Sequence, residues 1–331
     1  MANLLVTGGA GYVGSVCCAE LLRLGHSVSV IDDLSTGFRD AVSENAEFIQ
    51  MNYGDRSALE QFLKSRVFDA VFHFAARAQI TESMRNPGAF FAQNVGSSIN
   101  MLEALRQAGI SNFLFSSSAA VYGIQGNAAI GEESLKIPVN PYGLSKLMLE
   151  QVLEWYARAY GWSVTVFRYF NAAGASHERG ERHDPETHII PLLLQVAAGE
   201  KEHFEIYGHD YETPDGTCLR DYVHVLDIAT AHAAALERLG KRGMRVYNIG
   251  TGSTYSVREL CDAAARVTGR SIPVRIRARR PGDPPVLCAS SSRISEELGW
   301  HATHSSISEI ISSAWNWKQK RPGKLFHTAR G

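Results

Sequence analysis

A chain of 331 residues with a formal net charge of -1 can bury a substantial core in one large or two modest domains, and it has no global field to draw it to nucleic acid or an acidic membrane. Hydrophobic residues at 45% and charged residues at 20% are ordinary for a globular protein, so any anionic ligand has to be held by local groups. Cys17, Cys18, Cys218, Cys261 and Cys288 form no CxxC pair and no metal-ligand spacing; they read as reduced thiols of a cytosolic protein, with no metal expected. The apolar start MANLLVTGG breaks at glycine short of signal or membrane length, and no later stretch is long and apolar enough to cross a bilayer. The expected location is the cytoplasm.

In chain order, short apolar runs at 3–7, 27–31, 47–51, 70–74, 113–117 and 163–168 read as buried strands. Helical periods lie between them. The first holds Val13, Val16, Cys17, Glu20, Leu21 and Leu24, the next Leu59, Phe62 and Leu63. A third holds Leu149, Val152, Leu153 and Tyr156 at i, i+3, i+4 and i+7. This alternation predicts right-handed crossovers and a doubly wound, parallel α/β sheet of Rossmann type. After Arg168 the rhythm changes. Residues 172–186 are rich in Gly, His and charge and read as a loop. A helix is expected at 191–198, a strand at 245–249, a helix near 257–267, a basic Pro/Gly stretch over 275–285, and helices near the end. The expected division is a dinucleotide domain over 1–170 and a smaller α/β substrate domain over 171–331, with a segment near 242–258 a candidate to return to the first.

The first strand runs into GGAGYVG (8–14) and a helix follows at once. Glycines at 8, 11 and 14 let the backbone turn sharply and approach a pyrophosphate, and the helix N-terminus supplies N–H donors and partial positive charge. A lone glycine trio is a weak signal. Here the strand before it, the helix after it and the second strand ending in Ile31-Asp32-Asp33 agree. Asp32 stands where a carboxylate accepts the adenosine ribose hydroxyls, and it would repel a 2′-phosphate, so NAD rather than NADP is expected.

PYGLSK (141–146) contains YxxxK at an expected helix N-terminus, where Pro141 is tolerated. The i, i+4 spacing puts Tyr142 and Lys146 on one face. A free tyrosine titrates near ~10, and a neighbouring ammonium with a charged nicotinamide is expected to lower that value. YxxxK alone occurs by chance on many helices. Upstream, SSSAAVYG (116–123) ends a strand, where open α/β sheets bind ligands and a serine hydroxyl can share the substrate proton. Tyr122 reads as loop packing.

GGAGYVGS, HFAA, SSSAAVYG, PYGLSK, RYFNAAG, PETHIIP, DGTCLRDYVHV and RRPGD occur in this order over almost the whole chain. Together they closely resemble the UDP-glucose 4-epimerase family of extended short-chain dehydrogenase/reductases. The resemblance implies Ser118, Tyr142 and Lys146 as catalytic positions. It implies NAD contacts at Gly8, Gly11, Tyr12, Val13, Gly14 and Asp32, at Asn52, Tyr53, Phe74 and Asn94, and at Tyr142, Lys146 and Phe170. For the UDP-sugar it implies Ser118, Asn171, His188, Ile189, Glu205, Ile206, Tyr207, Arg220, Arg280, Asp283 and Leu287. The chemistry agrees: two arginines suit a pyrophosphate, Tyr207 offers a ring face to uracil, and Asn171 can donate to a phosphate oxygen.

Three positions depart from the family pattern: Ala120 where Thr is frequent, Asn52 where an Asp commonly meets the adenine amine, and Ala78 where some members carry a lysine near the nicotinamide ribose. The implied reaction is transient oxidation at sugar C4, with Tyr142 moving the proton and the 4-keto sugar turning over before reduction. A 4,6-dehydratase would need an acid where this chain has Ala119 and Ala120. A non-enzymatic NAD-sensing regulator would have no use for the tyrosine–lysine pair. UDP-GlcNAc/UDP-GalNAc and UDP-pentose epimerases remain alternatives in substrate, and a homodimer is implied. Leu287 falls where family members face the sugar 2-substituent, against the plain alternative that it is core.

Overall fold

The computed structural model describes residues 1–126, 128–280 and 282–320. Its first half alternates strand and helix: β1 (Asn3–Thr7), α1 (Tyr12–Arg23), β2 (Ser27–Asp32), β3 (Glu47–Gln50), α2 (Arg56–Leu63) and β4 (Ala70–His73). Then come α3 (Ile80–Arg85), α4 (Pro87–Phe91), a π turn at Ala92–Gly96, α5 (Ser97–Gln107), β5 (Asn112–Ser118), α6 (Pro141–Tyr160) and β6 (Ser163–Tyr169). The second half holds β7 (Asn171–Ala173), α7 (Ile189–Ala197), β8 (Phe204–Tyr207), β9 (Leu219–Arg220), β10 (Tyr222–His224), α8 (Val225–Ala234) and β11 (Gly243–Ile249). It ends with β12 (Tyr255–Ser256), α9 (Val257–Thr268), β13 (Val274–Arg277), β14 (Val286–Leu287), α10 (Ser292–Leu298) and α11 (Ile307–Gln319).

Seven strands form one sheet in the order β11-β6-β5-β4-β1-β2-β3, every pair parallel. One apolar cluster, with Val16, Leu21 and Ile228, packs on one face of the sheet, and another, with Leu59, Leu102 and Leu153, on the other. Chain direction across the sheet reverses between β1 and β4, which opens a crevice at their carboxyl ends. The strand at 243–249 joins this sheet beside β6. The other strands make small sheets, β10 with β7, β12-β9-β14, and β13 with β8, over a third cluster that includes Leu193, Leu260 and Ile310.

Two readings of the sequence need correction. The expected loop over 172–186 begins as a strand, because Asn171–Ala173 pairs in parallel with Tyr222–His224; three residues are too few to show a period. The stretch 80–107, for which no element was expected, is helical. Its first helices have six and five residues, and Asn86 interrupts them by capping Ala89 N ahead of Pro87.

Beneath the crevice lies a buried ion pair. Arg168 on β6 and Glu150 on α6 are 2% and 3% exposed and meet through two bonds, Nη2 to Oε2 at 2.6 Å and Nε to Oε1 at 3.0 Å. Ser117 Oγ donates to Glu150 at 2.5 Å. Arg168 Nη1 donates to the Tyr122 hydroxyl at 2.8 Å, and that hydroxyl donates to Asn248 at 2.7 Å. Tyr122 is therefore committed to packing. Removing one partner leaves a buried charge without compensation, so Arg168→Met should lose about 3–5 kcal/mol in urea unfolding. Arg168→Met/Glu150→Met should recover part of that loss, and equal losses in the two variants would mean that the pair is not the reason.

Candidate active site

The site begins at the turn from β1 into α1. Gly8 has φ +80, and a Cβ there would stand 2.4 Å from Ala75 N; one on Gly14 would stand 2.2 Å from Gly8 O. Neither position admits a side chain without moving backbone. Gly11 caps α1 with no side-chain hydrogen bond, and no acidic residue lies in the first turn, so the helix end keeps its donors and positive potential for an anion. Asp32 ends β2, accepting from Ala10 N at 3.0 Å and Leu34 N at 2.9 Å. Burial raises its pKa, and those two backbone donors pull against the rise.

A single cavity of about 1700 Å³ runs from this turn to the loop before β14. Gly8, Gly11, Tyr12, Val13, Gly14, Asp32, Tyr53, Phe74 and Phe170 line one end. Ser118, Tyr142 and Lys146 also line the cavity, as do Asn171, His188, Ile189, Glu205, Tyr207, Arg220, Arg280, Asp283 and Leu287.

Three sequence-derived residues are not on its wall. Asn52 turns its Oδ1 to Gly54 N in a local turn. Asn94 is buried and clamps the Arg77 backbone and Ser145 Oγ. Ile206 belongs to the apolar cluster around α7. Conversely, Phe38, Ala75, Arg77, Arg182 and Lys201 line the cavity without having been picked out. HFAA was the one available signal, since it marks the turn after β4.

Ser118 closes β5, and its Oγ accepts from Ala120 N at 3.1 Å, capping the short turn Ala119–Val121. Its hydroxyl is also near enough to Tyr142 to favour that residue's ionised form. Asn140 caps α6 by accepting from Gly143 N at 2.8 Å, which sets Tyr142 in the first turn. Lys146 is buried, donating to Ser116 O at 2.7 Å with its Nζ 4.9 Å over the Phe115 ring and 5.9 Å from the Tyr142 ring centre.

The expected lowering of the tyrosine pKa counted on a charged nicotinamide as well as the lysine, and the protein's own groups act in the other direction. Burial raises the pKa of Tyr142, and the neighbouring Ser118 hydroxyl is the influence opposing it. Burial also pushes Lys146 down to about 7, with Glu150 pulling the other way.

Arg220 Nη2 pairs with Asp283 at 2.6 Å and Nη1 donates to Leu219 O, a fixed cation with donors to spare. The Arg280 guanidinium lies 3.9 Å from the Tyr207 ring centre, so a cation covers one face of the ring and leaves the other for the uracil expected there. Asn171 Nδ2 donates to Asp221 O at 2.7 Å, which uses one of the two amide hydrogens expected for phosphate. Leu287 both lines the cavity and packs against the cluster of Val121, Ile130 and Phe170.

The Lys146 shift has a consequence for stability. An unfolded lysine binds its proton up to about pH 10.4, whereas the folded one releases it near 7. Between those values the unfolded chain holds more protons, so the penalty for burying Lys146 is full below pH 7 and fades as pH rises. In urea unfolding, Lys146→Met should gain on the parent most at pH 6, and the gap should shrink by up to about 1.4 kcal/mol per unit towards pH 9. A gap that does not change with pH would contradict the shift.

Residues 4–250 match the NAD dependent epimerase/dehydratase family. The chain is 44% identical over 313 residues to the UDP-glucose 4-epimerase of Corynebacterium glutamicum, covering 95% of this chain and 94% of that protein. Among solved structures it is similar to UDP-glucose 4-epimerase from Brucella ovis in complex with NAD, at TM-score 0.92 and 44% identity over 95% of this chain and 98% of that one. It is also similar to UDP-glucose-4-epimerase from Stenotrophomonas maltophila with bound NAD and formylated UDP-arabinopyranose, at TM-score 0.93 and 38% identity over 97% and 98%. A glycine turn too tight for any Cβ, a serine–tyrosine–lysine trio at the strand ends and full-length likeness at this level lead to one assignment: the chain belongs to the NAD dependent epimerase/dehydratase family and groups within it with the UDP-glucose 4-epimerases.

Proposed function

We propose that this protein interconverts UDP-glucose and UDP-galactose at sugar C4, with NAD as its cofactor. The observation that carries the reading is one continuous cavity in which the Ser118–Tyr142–Lys146 trio shares a wall with the glycine turn and the Arg220/Arg280 pair. The residues present fit NAD: a Cβ would fill the cradle at Gly8 and Gly14, and Asp32 ends the second strand beside it. Gly8, Gly11, Tyr12, Val13, Gly14, Asp32, Tyr53, Phe74 and Phe170 would hold the dinucleotide. When bound, NAD supplies a hydride acceptor that also returns the hydride.

The chain's own groups handle the proton. Tyr142 takes it from the 4-hydroxyl, and Ser118 is placed to relay it because Ala120 N–H already occupies one of its lone pairs. Lys146 stays beside Tyr142 through its bond to Ser116 O and adds positive charge whenever it is protonated. Arg220 and Arg280 bind the pyrophosphate, which tethers the sugar while its other face is presented. We assign residues 1–170 and the strand at 243–249 to the cofactor, and most of the remainder to the UDP-sugar. Exposed Ile99 on α5 with Met148, Trp155 and Tyr160 on α6 supports a homodimer face on these helices, and no described helix is long and apolar enough to cross a membrane. A cytoplasmic location follows from the reduced-thiol reading of the cysteines.

A second substrate class rests on Leu287, which has no hydroxyl, is shorter than tyrosine and lines the cavity. Weaker turnover of UDP-GlcNAc and UDP-GalNAc is expected beside the hexose pair.

Tyr142→Phe should reduce UDP-galactose turnover by about 10²–10⁴-fold while bound NAD, read by absorbance after denaturation, stays near the parent level. Near-normal turnover would remove Tyr142 as the base. Leu287→Tyr should suppress the N-acetyl substrates and spare UDP-galactose in coupled assays. A loss by the same factor on both would make Leu287 a packing residue only.

A further inference from the structure

The segment between β7 and α7 is irregular from residue 174 to 188 and is tied to the cofactor half of the molecule. Arg179 Nε donates to Ala41 O at 2.8 Å, Arg182 pairs with Asp40 at 2.6 Å, and Gln79 donates to Pro185 O at 3.3 Å. Within this strap, Glu181, His183, Glu186 and His188 each offer one ligand atom, and all four atoms lie within 4.8 Å of one another. We propose that these four side chains form a binding site for one zinc-class divalent cation, structural in role, that fastens the strap across the cavity.

Two imidazole nitrogens with two carboxylate oxygens are a donor set suited to zinc. Around a tetrahedral zinc, donors at about 2.0–2.1 Å stand about 3.3 Å apart. Glu181 Oε1 is already 2.8 Å from His183 Nδ1 and 2.7 Å from His188 Nδ1, and Glu186 Oε1 is 3.1 Å from His188 Nδ1. Small outward shifts would admit an ion. The carboxylates are 7% and 4% exposed and the imidazoles 31% and 47%. The open imidazole side gives a path of entry.

A second observation points to the same place. Glu181 and Glu186 also line a separate chamber of about 40 Å³ with Gln195, whose buried Oε1 has no hydrogen-bond partner. A water has room in such a chamber and would donate one hydrogen to that oxygen and the other to a ligating carboxylate, the outer partner that a metal-bound carboxylate calls for. Arg182 and Lys318 border the chamber too, but Asp40 and Glu200 already engage their charges. The expectation of no metal rested on the cysteines, which have no part here.

The test does not depend on the epimerase reading. The full chain with its NAD is dialysed against a chelator, then titrated with Zn(II) in competition with a chromophoric chelator, and bound metal is counted by mass spectrometry after desalting. One zinc per chain and a raised Tm are expected. In His183→Ala and Glu181→Gln the affinity should fall at least about tenfold and the Tm shift should disappear. A parent chain that takes up no stoichiometric zinc overturns the proposal, and so do variants with the parent's affinity, which would place the metal elsewhere. Should the buried Glu181→Gln fail to fold, His183→Ala on the open side decides alone.

Discussion

The chemistry proposed for this protein depends on the register of one helix. Tyr142, Lys146 and Glu150 occupy i, i+4 and i+8 on α6, so they stand one above another on a single face. Glu150 is the anchor: it meets Arg168 of β6 through two bonds and Ser117 of β5 through a third. A slide of one residue along the sheet would strand a buried carboxylate and a buried guanidinium. Such pairs are poor sources of net stability, because both partners must be taken out of water. Their strength is that only one alignment satisfies them, and here that alignment brings Lys146 to Ser116 O and Tyr142 to Ser118.

The same burial that secures the register sets the electrostatics. Lys146 is held in a place where its charged form is disfavoured, and Tyr142 in one where the phenolate is disfavoured. Burial thus pushes both groups of the pair towards their neutral forms. The end proposed to hold the pyrophosphate follows a different rule. With a net charge of only -1, no long-range field gathers substrate, and attraction rests on local cations. Arg220 spends two donors, on Asp283 and Leu219 O, out of the five a guanidinium carries. Holding the group still before the ligand arrives reduces the entropy lost on binding.

How much of this was legible in the sequence follows from how local each signal is. The strands at 3–7 and 163–168 appeared within a residue or two of their bounds, because a strand buried on both faces is a continuous apolar run. The glycine turn and YxxxK were legible because spacing alone carries their geometry. Arg168 and Glu150 were not, since they lie 18 residues apart on different elements and nothing local distinguishes a buried arginine from a solvated one. Asn94 read as a cofactor contact, yet its amide is occupied by Arg77 and Ser145, partners that only the fold brings to it. His183 registered merely as loop composition and His188 as a UDP-sugar contact, because their convergence with Glu181 and Glu186 depends on the path the strap takes over the cavity.

The departure at residue 120 shows why a lost side chain need not mean a lost function. The family's frequent threonine would add a hydroxyl there, and alanine has none. But residue 120 acts on Ser118 through its backbone N–H, which every residue but proline supplies. Its neighbourhood is also crowded, since a Cβ on Gly143 would lie 2.4 Å from Ala120 O and 3.2 Å from Ala120 Cβ. The first turn of α6 therefore rests directly on the turn that follows β5, backbone on backbone. That contact, with the Asn140 cap, sets the height of Tyr142 above Ser118, and it survives with alanine because glycine at 143 and a main-chain amide at 120 are all it requires.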